Sequence, residues 1–222
     1  MTQPIEPQDC CFDEWATHAA RRTRSREMSA KITVALVAAL ENQGLTGRTL
    51  LDVGCGSGDL ALAAIARGAD RATGFDLGPG AIRAARALAE ERGLAERTTF
   101  EVGDGATLTL PRADVVSLNR VLCCYPHIDA LLSNTLEAAG SIYGFTAPRD
   151  RGVVGLGNRI SLWFGNGWYR LRAKKFAGFR AFVHDLGAVD ESIRAAGFEP
   201  VHREHRGTWD LAVYARRPGA EA

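Results

Sequence analysis

Compact apolar runs alternate along the chain with longer segments whose apolar residues recur every three or four positions. Leu50, Leu51 and Val53 form the first compact run and read as a buried strand. The run 60–65, with alanine at most of its other positions, predicts a helix that starts near Ser57, reaches Arg67 and is closed by Gly68. Ahead of both, residues 12–42 read as helical in one or two pieces. Ile32, Ala35, Leu36, Ala39 and Leu40 form one stripe there, and Gly44 and Gly47 stop it.

The same alternation continues. Residues 72–76 predict a second strand, and Pro79 and Ala81 open a helix toward Arg92 that Gly93 closes. Residues 98–102 and 115–118 predict the third and fourth strands, the latter almost continuously apolar, as in a sheet covered on both faces. Pro126 breaks the chain before a helical stretch at 128–137, and the β-branched and aromatic run 140–146 predicts strand five. Near the end, residues 189–196 read as a helix capped by His184 or Asp185 and stopped by Gly197. Residues 198–206 and 208–215 then pair as a hairpin about Gly207.

Repeated strand and helix at this spacing predicts a parallel sheet with right-handed crossovers and helices on both faces. Ligands in such sheets gather at the carboxyl ends of the strands. Asp52 to Gly58, Asp76, Asp104 and Asn119 all fall at those ends. Residues 147–185 interrupt the alternation. Glycine-rich 149–157 reads as a flexible loop, and 160–176 is aromatic and basic, so the stretch is expected to be an insertion or lid over the substrate site. Residues 1–43 are expected to form an N-terminal helical cap on a single domain, 1–217, with 218–222 a flexible tail.

Composition changes this picture little. A chain of 222 residues, 46% apolar and 24% charged, fills one core, and a net charge of +1 calls for no nucleic-acid or membrane partner. The bases are uneven, with Arg21, Arg22, Arg24 and Arg26 early and Arg170, Arg172, Lys174 and Lys175 late. Five cysteines, Cys10, Cys11, Cys55, Cys123 and Cys124, show neither metal-ligand spacing nor a disulfide framework. A polar start without a signal-type apolar segment, and no run of the ~20 apolar residues a membrane helix needs, lead us to expect a cytoplasmic protein without membrane insertion, monomeric or homodimeric.

The chemistry concentrates between Thr49 and Gly58, TLLDVGCGSG. Gly54, Gly56 and Gly58 are spaced G-x-G-x-G rather than the G-x-G-x-x-G of dinucleotide binding, and no Gly-Lys-Ser/Thr follows to make a phosphate loop. Asp76 ends the next strand, where a carboxylate can accept both hydroxyls of a ribose. The segment resembles the S-adenosylmethionine-binding motif of class I methyltransferases. That resemblance implies a Rossmann-like α/β fold with a seven-stranded, mostly parallel sheet, its last strand antiparallel, and S-adenosyl-L-methionine as cofactor. It also implies that Asp52, Gly54, Cys55, Gly56 and Gly58 lie along the methionine side. Asp76 with Leu77 would hold the ribose side, Asp104 between Gly103 and Gly105 would meet the adenine, and Asn119 and Arg120 would flank the cofactor. A narrower resemblance is to the magnesium-protoporphyrin O-methyltransferases, carried by Tyr125-Pro126, by Phe182-Val183-His184 and by the pattern of 189–206, with Cys123-Cys124 departing from it.

The expected reaction is methyl transfer to a small molecule, at a carboxylate or hydroxyl oxygen. The alternatives are N-methylation of a small amine or an RNA base, and a non-catalytic protein that binds the cofactor. RNA would call for a continuous basic face. His127 is a candidate base or a cap beside Asp129, and His184 a candidate catalytic residue or a cap. A carboxylate acceptor is already ionised and needs positioning by a cation, for which Arg120, Arg159 and Arg170 are candidates. Tyr125, Trp163, Trp168 and Tyr169 offer flat area for a planar, anionic substrate or a lid. A buried stripe or a dimer contact would use these aromatics equally well.

Overall fold

In the computed structural model the described residues are 23–171, 179–217 and 219, with side chains described from residue 30 onward. The expectations placed on residues 1–22 (Cys10, Cys11, Arg21, Arg22), on 172–178 and on the tail apart from Gly219 lie outside them.

Seven strands form one sheet: β1 (Thr49–Val53), β2 (Arg71–Asp76), β3 (Thr98–Val102), β4 (Ala113–Asn119), β5 (Ala139–Pro148), β6 (Phe198–Arg206) and β7 (Trp209–Arg216). Their order is β3-β2-β1-β4-β5-β7-β6. The first five pair in parallel, and β7 runs antiparallel to both β5 and β6. Among the described residues six α-helices accompany them: α1 (Thr23–Asn42), α2 (Asp59–Ala66), α3 (Pro79–Glu91), α4 (Ile128–Ala138), α5 (Gly152–Leu171) and α6 (Leu186–Ala195).

Successive strand side chains point to opposite faces, so one continuous apolar run fills two cores. Leu50, Val115, Ile142 and Val213 pack on one face against Leu36 and Leu40 of α1, Leu62 of α2 and Ile82 of α3. Their neighbours Leu51, Val116, Tyr143 and Tyr214 pack on the other against Leu131 and Leu132 of α4 and Ile193 of α6. Register ties the two halves, with Leu50 opposite Val115, Leu51 opposite Val116 and Asp52 opposite Ser117. The sheet reverses its order between β1 and β4, and the ends of those strands carry the residues singled out above.

One expectation fails. Residues 149–157 are not a flexible loop: from Gly152 on they begin α5, a helix of 20 residues. Glycine is a poor helix former, costing about 1 kcal/mol against alanine, but Gly155 is the helix's one buried residue. A Cβ there would overlap the backbone of Asp150. Asn158 fixes the same face by donating to the carbonyls of Arg149 (2.9 Å) and Thr208 (3.0 Å). The glycine marks close approach of two backbones.

Candidate active site

At the carboxyl end of β1 the chain turns through Gly54, Gly56 and Gly58, all with positive φ (74°, 54° and 77°). At Gly54 the demand is steric as well, because a Cβ would overlap the Val121 side chain. Gly56 faces open space, with nothing within 4 Å of where a Cβ would stand, so its backbone is open to a ligand. The amides of Gly54 and Cys55 donate to the Phe75 carbonyl at 2.7 and 3.0 Å, which locks the loop against β2. Asp76 completes the frame: one carboxylate oxygen accepts from Gly56 N (2.9 Å) and the other from Gly78 N (2.8 Å). A carboxylate oxygen accepts more than one bond, so these amides orient Asp76 without using up its capacity.

Asp52 lies beneath the loop, 1% exposed. Its Oδ1 accepts from Ser117 Oγ at 2.8 Å, the register partner on β4, while its Oδ2 has no hydrogen-bond partner. Burial, opposed by the Ser117 bond and reinforced by the charges of Asp76 and Asp59, raises its pKa from 3.8 to about 7. A buried acceptor without a donor is uncommon in folded proteins and calls for an explanation. Asp52 beneath the glycine loop and Asp76 beside it, with exposed Asp59 at the start of α2, make a place for a cation. Cys55, also buried, has its thiol pushed well up, first by burial and then by Asp52 and Asp76, so it is a packed side chain rather than a nucleophile.

Asp104 follows β3 and is also buried. Its carboxylate accepts from the Tyr125 hydroxyl at 2.7 and 2.9 Å and from Ala106 N at 3.0 Å. Tyr125 therefore does not face an acceptor, as the sequence led us to expect. Its ring is 5% exposed in the core with Leu122 and Leu131, and burial and the Asp104 bond push its hydroxyl well above the ordinary pKa. Gly103 N donates to the Asp76 carbonyl (2.9 Å), joining the two acid-bearing strand ends, and buried Leu77 follows directly. Gly105 packs on β1, where a Cβ would overlap Val53.

At the end of β4, Asn119 donates to Thr33 Oγ1 and accepts from Thr146 Oγ1, each at 2.8 Å, linking α1, β4 and β5. Arg120 adopts φ 64°, the only positive φ among the described non-glycine residues. Its amide donates to Thr146 Oγ1 (2.9 Å), and its guanidinium lies 5.6 Å from the Trp209 ring centre. The thiols of Cys123 and Cys124 point back to its carbonyl. His184 braces this loop, with Nε2 3.1 Å from the Tyr125 carbonyl and a further bond to the Leu122 carbonyl; burial holds its pKa below the ordinary value. The helix cap falls to Asp185, which accepts from Gly187 N and Ala188 N. His127 stands exposed at the N-cap of α4 and makes no side-chain cap bond.

The structure thus gathers Asp52, the glycine loop, Asp76, Leu77, Asp104 and the 119–125 loop at one edge of the sheet. It leaves Arg159, Trp163, Trp168 and Arg170 exposed on α5, with Tyr169 half-buried edge-on to Phe179 at 5.0 Å. Sequence reasoning missed Ser117 and the Thr33–Asn119–Thr146 chain. A lone serine inside the apolar run VVSL was the available signal for the first.

The fold is the Rossmann-like fold of the class I S-adenosylmethionine-dependent methyltransferases. Residues 50–139 match the family described as a methyltransferase domain. Among curated proteins, the ribosomal protein L11 methyltransferase of Histophilus somni (strain 2336) is 38% identical over 103 residues, covering 46% of this chain and 34% of that protein. That of Yersinia pseudotuberculosis (strain IP 31758) is 45% identical over 117 residues, covering 52% and 40%. The chain spans well under half the length of these relatives. Among solved structures, magnesium protoporphyrin IX methyltransferase from Synechocystis PCC 6803 with bound SAH superposes with TM-score 0.70 at 21% identity, covering 93% of this chain and 94% of that one. The cyclase SpnF gives 0.65 at 22% identity, covering 86% and 81%. At these identities the structural likeness is one of fold.

Proposed function

We propose that the protein transfers a methyl group from S-adenosyl-L-methionine to an oxygen of a small, planar, anionic acceptor, a carboxylate in preference to a hydroxyl. The observation that carries the cofactor reading is the unpartnered, buried Oδ2 of Asp52 under a glycine loop flanked by two further acids. A ligand bearing a sulfonium and an ammonium answers that charge. Asp76 would accept the ribose hydroxyls with Leu77 beside it, and Asp104, held by Tyr125, would accept from the adenine amino group. S-adenosylmethionine, when bound, supplies an activated methyl carbon.

The acceptor follows from what the histidines do. His184 is committed to backbone carbonyls and kept neutral by burial, and His127 is exposed and not fixed by a side-chain cap bond. An acceptor already ionised at neutral pH needs no base. Arg120, at the exit of β4, is the cation we assign to it. Tyr169 sits beside Phe179, and Phe182 N donates to the Cys123 carbonyl (2.7 Å), so the end of α5 borders the same loop. A magnesium protoporphyrin IX methyltransferase, which shares the fold, is named for a planar substrate.

The L11 methyltransferase relatives favour a second reading, a protein acceptor. Methyl-labelled cofactor incubated with the protein and a panel of porphyrin and aromatic carboxylic acids, ribosomal protein and RNA separates the two. Base-labile label in the small-molecule fraction is expected; label in ribosomal protein or RNA alone contradicts the proposal.

A further inference from the structure

The helix α5 is built inside out. Its inner face is small and polar: Gly155 touches the Asp150 backbone, Asn158 bonds Arg149 and Thr208, and Asn166 exchanges two 2.9 Å bonds with the backbone of Ala181. Its outer face is apolar. Val153, Leu156, Ile160, Trp163, Phe164 and Leu171 share one side of the helix at spacings of three, four and seven, and all are exposed, Val153 by 88% and Trp163 by 71%. A helix of a globular protein ordinarily presents the reverse, and a contiguous exposed apolar face marks an interaction site.

Charge identifies what the face meets. Residues 151–184 contain seven basic residues (Arg151, Arg159, Arg170, Arg172, Lys174, Lys175, Arg180) and no acid. The rest of the chain then holds 27 − 7 = 20 basic residues against 26 acidic ones, a net charge of −6. The positive charge is therefore concentrated in the segment that carries the apolar face. Apolar face, paired tryptophan and phenylalanine, and adjoining arginine and lysine are the features of a helix lying in the plane of a lipid surface. A second copy meets this face poorly, because a two-fold contact would set Arg159 and Arg170 against their own copies on a helix that carries no acid. No helix among the described residues is long and apolar enough to cross a membrane, which fits adsorption rather than spanning.

We propose that α5 docks the enzyme onto anionic lipid bilayers, its apolar side chains entering the interface and its exposed arginines, Arg159 and Arg170, meeting the lipid headgroups. This assignment is independent of the acceptor. It also moves Trp163 from the substrate site, where the sequence had it, to the lipid surface.

The test is co-sedimentation of the full chain with extruded vesicles, either phosphatidylcholine with an equal part of phosphatidylglycerol or phosphatidylcholine alone, at about 0.1 M salt. The protein should pellet with the anionic vesicles and about tenfold less with the neutral ones. Ile160→Asp and Leu156→Asp should each weaken pelleting about tenfold or more, with S-adenosylhomocysteine binding unchanged as the check on folding. Three results overturn the proposal. One is wild-type protein that stays in the supernatant. Another is pelleting that Ile160→Asp leaves intact, which would make it a matter of charge alone. The third is a wild-type dimer that Ile160→Asp dissociates, without vesicle binding.

Discussion

Asp52 shows how much can rest on one carboxylate. Folded, it holds its proton up to about pH 7, whereas an unfolded aspartate releases it near 3.8. That difference favours the folded state fully at acid pH and is lost as pH rises through 7. Above pH 7 the buried charge costs at most about 4 kcal/mol. A cationic ligand reverses the preference, so S-adenosylmethionine should bind more tightly as pH rises through 7, releasing a proton as it does. Asp52→Asn should therefore raise stability to urea at pH 8 by roughly 1–3 kcal/mol and weaken cofactor binding at the same pH. A variant that is less stable and binds equally well would remove Asp52 from the cofactor site. The sequence showed this residue as a motif acid, but not its missing partner. Burial and the register with Ser117 are properties of the folded sheet. Tyr125 was misplaced for a related reason, since the acid that holds it lies 21 positions earlier and reaches it only through the strand order.

At the scale of elements, strands and caps were legible because their signals are local. Short apolar runs set β1 to β5, and Gly207 set the β6–β7 turn. Helix α5 was not legible, because its glycines read as a loop, while Gly155 makes room for the backbone of Asp150 and Asn158 reaches across to Thr208. The same contact gives a paired expectation. Gly155→Ala should destabilise by about 1–3 kcal/mol, because the added Cβ overlaps Asp150. Gly167→Ala, with nothing within 4 Å, should stabilise by up to about 1 kcal/mol through helix propensity. Thermal melts of the two variants moving in the same direction would contradict this account of α5.

At the scale of the molecule, one sheet divides two cores and brings five strand ends to one edge, where the acids and the glycine loop collect. That architecture was readable from strand and helix alternation alone. The acceptor was not, because the 119–125 loop to which we assign it takes its geometry from packing rather than from period. The central claim is that the β1 loop and Asp76 hold a sulfonium-bearing nucleoside, and calorimetric titration with S-adenosylmethionine tests it most directly. The account predicts one-to-one binding to the wild-type protein, weakened about a hundredfold or more in Asp76→Asn, which keeps the shape of the side chain and removes its charge. Absence of binding heat, equal affinity in the variant, or binding of NADH in its place would contradict it.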